Sequence, residues 1–405
     1  MVTLKFHRQE VDLAKRSNTN LLIYGRRKVG KTFMIKEYLD YDVYLLVKRG
    51  GDIHVEGAAV DKIGIYNDLL KLLASWIEGE KTVVIDEFQR LPDDFLDYLQ
   101  ALPRKGRIIL TGSSFKVVRD VISPRSPILG LYSDLKLSLM SPKDILSGLM
   151  SVTEPERAIE LAPYLRDPWM IPFFKDGKGS LTDVLQLSKL GIRGLIGEVF
   201  LEEERTMSQI YEGIIRSLAL DHWKLGDISN RLHGRKLIEK PNPQSIRPYI
   251  QNMVLMDLVS KIPIHRRNEY YYRLRSPIME LGYYLDERMD MFQTDLPEKV
   301  LKNECSKKLP RHIEHFFGEF MAQIYGGRYE YFYTSDFDID FIVVRGKKVL
   351  ASGEVKWAAP AQKDIDKLIE RTKHLPGDKV LITKSPIESD GVRVLTPKDI
   401  KAMIS

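Results

Sequence analysis

Cysteine is nearly absent from this 405-residue chain: Cys305 is the only one. That excludes an intramolecular disulfide and any cysteine-based zinc site. Long apolar runs are absent too. Nothing approaches the roughly 20 consecutive apolar residues of a membrane-spanning helix. Residues 1–8, Met-Val-Thr-Leu-Lys-Phe-His-Arg, lack the apolar core of a secretory signal, so a cytoplasmic chain with no membrane partner is expected. Histidine is sparse and poorly spaced for metal binding. Only His312 and His315, at i, i+3 beside Glu319, share a helix face, and they read as surface or helix-face residues rather than ligands. Neither sign of charge dominates: 62 basic and 56 acidic side chains leave a net charge of +6. This balance permits an acidic or nucleic-acid partner without demanding one. The length suits about two to four domains.

What is present begins at Gly25. Gly25-Arg26-Arg27-Lys28-Val29-Gly30-Lys31-Thr32 is a G-x-x-x-x-G-K-[ST] loop, with apolar Leu21–Tyr24 before it and helix-forming Phe33–Leu39 after it. A strand, a glycine-rich turn and a helix in that order form a phosphate cradle, because backbone N–H groups and the helix N-terminus converge on one anion. Residues Gly25 to Phe33 are therefore expected to bind the phosphates of a nucleoside triphosphate. Lys31 would reach the β- and γ-phosphates and the Thr32 hydroxyl would ligate Mg²⁺. No N-K-x-D stretch that reads guanine is present, which favours ATP.

Two further strands carry polar ends. Thr82-Val83-Val84-Ile85-Asp86-Glu87 is an apolar run closing on adjacent carboxylates, of which Asp86 would support Mg²⁺ and Glu87 would activate water. Arg107-Ile108-Ile109-Leu110-Thr111-Gly112-Ser113-Ser114 ends in small hydroxylated residues, and Thr111 or Ser113 is expected to lie between the first two strands and sense the γ-phosphate. Helical spacing of Ile65, Leu69, Leu72, Leu73 and Trp76 precedes the first of them, and alternating strands and helices make the fold class α/β with a parallel sheet covered on both faces.

Taken together, GRRKVGKT, VVIDEFQRLP and IILTGSS resemble the archaeal ATPase family, a branch of the AAA+-related and STAND-like P-loop ATPases. Phe6-His7-Arg8-Gln9-Glu10-Val11-Asp12-Leu13 is similar to the family's opening F-x-R-E-x-E-L segment, which implies a place near the adenine. The resemblance covers about residues 1–290. It implies catalytic roles for Lys31, Glu87 and Ser113 (or Ser114), a Mg²⁺ site at Thr32 and Asp86, and a helical lid. One departure stands out. Pro127-Ile128-Leu129-Gly130-Leu131-Tyr132 has Leu131 where the family carries an arginine, so Arg119, Arg125 or a second subunit would have to supply that charge.

The remaining chain divides by pattern into a lid over 141–204, a winged-helix domain over 205–290, a polar linker over 291–310 and a small α/β domain over 311–405. Asp167-Pro168-Trp169-Met170-Ile171-Pro172 resembles the family's lid turn only loosely and reads equally as a proline-bounded hinge. In the winged-helix stretch, three helical patterns precede two strand-like runs, Leu258–Pro263 and Tyr270–Leu274, around the basic tip Arg266-Arg267. Arg235, Lys236 and Arg247 add positive charge suited to duplex DNA. In the last domain, Asp340, then Gly353-Glu354-Val355-Lys356-Trp357, resembles the PD-(D/E)xK nuclease superfamily and the domain appended to such ATPases, with Glu319 as the added helical acid. The resemblance implies that Asp340 and Glu354 hold Mg²⁺ and that Lys356 orients the nucleophile. Two functions follow. One is an ATPase coupling ATP to DNA binding or processing; the other is a STAND-like nucleotide-gated switch whose C-terminal domain only binds.

Overall fold

The computed structural model describes residues 6–113, 115, 118, 121, 123–174, 180–203 and 205–404, apart from the Glu202 side chain. Two compact units share these residues. One comprises residues 8–138 with 197–206, and the other comprises the N-terminal residues to His7 with 139–196 and 207–405.

In the first unit, strands β1 (Asn20–Tyr24), β2 (Val43–Val47), β3 (Ile53–Glu56), β4 (Lys62–Ile63), β5 (Thr82–Asp86), β6 (Arg107–Gly112) and β7 (Tyr132–Lys136) form one sheet, ordered β4-β3-β2-β5-β6-β1-β7. The strands from β2 to β7 in that order run parallel, and β3 and β4 add an antiparallel edge. Alternate residues serve opposite faces. Leu22, Leu45, Val83, Ile85 and Leu110 enter one apolar cluster, while Leu21, Ile23, Tyr44, Val84 and Ile109 enter another. Both faces are covered, as the near-continuous apolar strands require. The expected α/β class with a mostly parallel sheet is therefore present. β6 lies between β1 and β5, with Leu22 level with Leu110 and Ile85 level with Leu110, so the polar ends of all three strands meet at one edge.

In the second unit, helices Pro142–Met150, Pro155–Leu165 and the part of Leu181–Glu202 up to Ile196 form one body with the rest of the C-terminal chain, rather than a separate lid domain. Helices Gln209–Ala219, Leu225–Gly234 and Pro243–Leu255 precede an antiparallel hairpin of β8 (Val259–Pro263) and β9 (Tyr270–Leu274). A second sheet follows, with β10 (Arg328–Tyr333), β11 (Asp338–Arg345), β12 (Lys348–Lys356), β13 (Asp378–Thr383) and β14 (Arg393–Leu395) in chain order. Its first two pairings are antiparallel and its last two parallel. Residues 291–310 were expected as a linker, yet from Glu298 onward they are the first half of a 28-residue helix, Glu298–Tyr325. Leu301, Glu304, Cys305 and Lys308 are buried on one face of it at helical spacing, so packing and partners on that face override the polar composition and Pro310.

Candidate nucleotide site

Gly25 opens the loop at φ +157°, and a Cβ there would lie 2.0 Å from the Leu137 carbonyl oxygen, so no other residue lets the backbone pass. Gly30, at φ +91°, turns the chain into helix Lys31–Tyr38. The loop is held from both ends. The Arg8 guanidinium donates to the Val29 carbonyl at 2.9 Å and to the Ser138 carbonyl at 3.2 Å. Arg26 is buried, and Arg27 pairs with Glu198 at 3.2 Å. Lys28 takes a left-handed backbone and Phe33 stays exposed. The buried Lys31 ammonium donates to the carbonyls of Gly25 (2.7 Å) and Arg26 (3.2 Å), which fixes its charge at the centre of the loop. In front lies a cleft of about 310 Å³ lined by Lys28, Lys31, Thr32, Glu87 and Glu198 among others.

Asp86, at the end of β5, is 1% exposed and accepts three hydroxyl hydrogen bonds. Thr32 Oγ1 donates to Oδ2 at 2.7 Å, Tyr44 OH donates to Oδ2 at 2.6 Å, and Thr111 Oγ1 donates to Oδ1. A buried carboxylate is costly unless donors surround it, and these three meet that need. Burial and the Asp86 charge hold the Tyr44 phenol well above its usual range, so it remains a donor. Glu87 follows at φ +61°, a backbone conformation rare for a non-glycine residue. Its carboxylate pairs with Arg90 at 3.0 Å and accepts from Gln89 at 2.8 Å and Ser113 at 3.2 Å. Arg90 is in turn anchored on the Val47 carbonyl at 2.7 Å.

The structure thus gathers Lys31, Thr32, Asp86, Glu87, Thr111 and Ser113 at one strand edge. Ser114 and Arg119 lie outside the described residues. Leu131 packs against the apolar cluster, and Arg125 is exposed. Sequence reasoning did not single out Tyr44, Gln89 or Arg90, and it named Arg8 only within the opening segment. For Tyr44 the signal was a polar hydroxyl inside the apolar run VYLLV; for the pair after Glu87, it was their position directly behind the two acids.

The second unit holds other acids. Asp340 Oδ2 accepts the Val355 N–H at 2.8 Å, and Glu354 pairs with Arg371 at 2.7 Å. β11 and β12 pair with Phe341 opposite Gly353, and a Cβ on Gly353 would lie 2.1 Å from the Val380 carbonyl oxygen. Burial, then Glu314, pushes the Asp340 carboxyl well above its usual range; burial also raises Glu354, with Asp338 adding to it against Arg371. Lys356 is exposed. Glu319 does not join this group. It pairs with Arg166 at 2.7 Å; burial pushes its carboxyl upward, but Arg166 and Arg275 outweigh that and hold it low. The helical acid facing Asp340 is Glu314, five positions earlier and so rotated by about 140° around the helix. Among the described residues, no group of three or more His, Cys, Asp or Glu could hold a metal ion.

His312 and His315 are buried, not surface residues. His312 bonds Glu280 (3.1 Å) and Tyr164 (3.0 Å), and His315 bonds Tyr329 (2.9 Å). Arg235 joins Arg216 and Arg231 on the Glu287 carboxylate. Lys236 and Arg247 remain exposed.

Residues 17–145 match the AAA domain family profile. The chain carries an AAA domain. No curated protein matches the sequence. Among solved structures, the ORC2 protein of Aeropyrum pernix in ADPNP-ADP complexes is 16% identical, with 72% of this chain and 88% of that chain covered at a TM-score of 0.38. The Aeropyrum pernix ORC1 protein in complex with DNA is also 16% identical, with 72% and 96% covered at 0.26. Drosophila ORC bound to DNA is 12% identical, with 66% and 81% covered at 0.27. No helix among the described residues is long and apolar enough to cross a membrane.

Proposed function

We propose that the AAA domain of this chain binds ATP with Mg²⁺ and hydrolyses it, and that the helices and hairpin of residues 209–274 act as a winged helix on duplex DNA. Lys31 and Thr32 line one cleft and the buried Asp86 accepts from Thr32 behind it, and this arrangement carries the first half of the reading. The donor set suits Mg²⁺, which keeps water and phosphate ligands and asks the protein for only one or two groups; Thr32 and Asp86 would hold it. Bound there, the ion would neutralise charge on the phosphates. The chain's own groups do the rest. Lys31 supplies a cation to the β- and γ-phosphates, Thr111 and Tyr44 orient the Asp86 carboxylate by donating to it, and Glu87 takes the proton of the attacking water. Two arginines at the hairpin tip, Arg266 and Arg267, support the DNA half.

This reading predicts MgATP hydrolysis that duplex DNA stimulates several-fold, as measured by phosphate release with and without DNA. A rate that DNA leaves unmoved would count against coupling. The second reading, a nucleotide-gated switch, is favoured by one observation: Glu87 is held by Arg90, Gln89 and Ser113. On that reading, Arg90→Ala raises the DNA-free rate several-fold, because the carboxylate loses its ion pair. An unchanged or lower rate in steady-state assays would remove the support. The C-terminal sheet, with Asp340, Glu354 and Lys356, then serves as a nuclease-like binding module. Its engagement of both acids by Val355 and Arg371 suits binding better than cleavage.

A further inference from the structure

The tip of the β8–β9 hairpin is joined to the first strand of the C-terminal sheet. Ile264 forms a bridge with Tyr331, the His265 N–H donates to the Tyr331 carbonyl at 2.8 Å, and His265 Nδ1 meets Glu330 at 2.7 Å. Arg267 covers the Tyr333 ring at 4.7 Å, and Tyr333 OH donates to Glu269 at 2.7 Å. Hairpin and β10 are thus one surface. A groove of about 500 Å³ lies along it, lined on the hairpin side by Arg266, Arg267 and Asn268 and on the β10 side by Arg328. The Arg266 side chain is exposed, makes no ion pair among the described residues, and sits in the turn at φ +56°. The Arg328 side chain is 64% exposed, and its partner Glu330 is shared with His265.

We propose that this groove is a phosphate-backbone site for duplex DNA, built jointly by the hairpin tip and β10, so that Arg328 contributes to binding alongside Arg266. The inference rests on the winged-helix reading above and extends it to the C-terminal sheet. Duplex is favoured over single strand because the aromatic faces nearby are already occupied. Trp223 stacks on Tyr271 at 4.8 Å and carries Lys224 at 4.9 Å, and Lys261 covers Tyr270 at 3.7 Å. Among the described residues these rings already carry a cation or a neighbouring ring, whereas guanidinium groups read phosphate without bases. The surface also leads to the acids: Tyr333 is directly opposite Asp338 on β11, so a backbone gripped here runs one strand from Asp338 and Asp340.

The test is fluorescence anisotropy with a labelled mixed-sequence duplex and the matching single strand, over a KCl series, on the full chain and on Arg266→Ala and Arg328→Ala, with thermal melts confirming the fold. Each variant is expected to bind duplex about 3- to 10-fold more weakly, and to lower the slope of log affinity against log salt by about 0.9. If Arg266→Ala does this while Arg328→Ala matches wild type, the joint site is overturned and the winged-helix reading stands. If wild type fails to bind duplex at all, both fall. Tighter binding to single strand, lost in Trp223→Ala, would overturn the choice of duplex.

Discussion

Glu87→Gln is expected to lower steady-state MgATP hydrolysis by about 10²- to 10⁴-fold, the usual contribution of a positioned general base, while leaving MgATP affinity within a few-fold of wild type. The split follows from where the residue stands. Lys31 and Thr32, on the loop and its helix, and Asp86, inside the hydroxyl cage, are the groups proposed to hold phosphate and metal, and they are seated by hydrogen bonds to the Gly25 and Arg26 carbonyls and among Thr32, Asp86 and Thr111. Glu87 lines the same cleft from the next position, with its backbone turned to φ +61° so that its side chain leaves the line of β5. Such a conformation costs on the order of 1–3 kcal/mol and persists only where its surroundings enforce it. Here Gln89, Arg90 and Ser113 do so. Glutamine keeps the shape and can still accept from Ser113, but it cannot take a proton. Phosphate release gives the rate and calorimetric titration with MgATP gives the affinity. A variant that retains a tenth or more of wild-type turnover with normal binding would place the base elsewhere.

How much of this was readable in advance depends on the reach of each interaction. The loop from Gly25 to Thr32 is legible because its chemistry is local: eight consecutive residues set both the turn and the candidate anion site. The acids at 86 and 87 and the hydroxyls at 111 and 113 were legible because each ends a long apolar run. Tyr44 was not, because its role exists only once β2 lies beside β5 with Leu46 level with Asp86, and nothing within β2 announces that neighbour. The same limit explains Glu319. Both Glu314 and Glu319 belong to helix Glu298–Tyr325, but which turn faces β11 is decided by docking, and five residues move an acid to a different side. Residues 298–310 misled for a related reason: their charges suggest a solvated linker, yet Glu304 and Lys308 are buried with partners, Tyr284 for one and Asp221 for the other. Charge marks a linker only when no opposite charge awaits it in the fold.

Glu280→Ala should be the most destabilising substitution outside the nucleotide site. Glu280 is 3% exposed and faces three buried groups: Arg273 at 3.4 Å, His312 at 3.1 Å and Lys308 at 4.0 Å. Burial alone would raise its carboxyl, but Arg273, His312 and Lys308 outweigh that and bring it down from 4.5 to about 2. Removing it leaves Arg273 without that carboxylate and deprives His312 of a partner, while Lys308 retains Asp221 and the Ala219 carbonyl. Breaking a buried pair from one side costs about 3–5 kcal/mol, and in a unit of this size that lowers Tm by roughly 6–20 °C. The pH dependence has a definite sign. Because the folded carboxyl titrates below the unfolded one, its contribution is full above pH 4.5 and is lost as pH falls toward 2. His312 acts in the same direction at milder acidity: burial lowers its value below 6.5, so the unfolded chain takes up the proton first. Thermal melts at neutral pH and through the acid range, on wild type, Glu280→Ala and Glu280→Gln, separate the two. Glutamine should retain the His312 contact and lose the charge pairing, falling between wild type and alanine at neutral pH, and both variants should lose the acid-dependent slope between pH 4.5 and 2 that Glu280 supplies. If alanine melts within a degree or two of wild type, the cluster is relieved by water rather than by Glu280, and the buried cations would then have to be solvated in the native state.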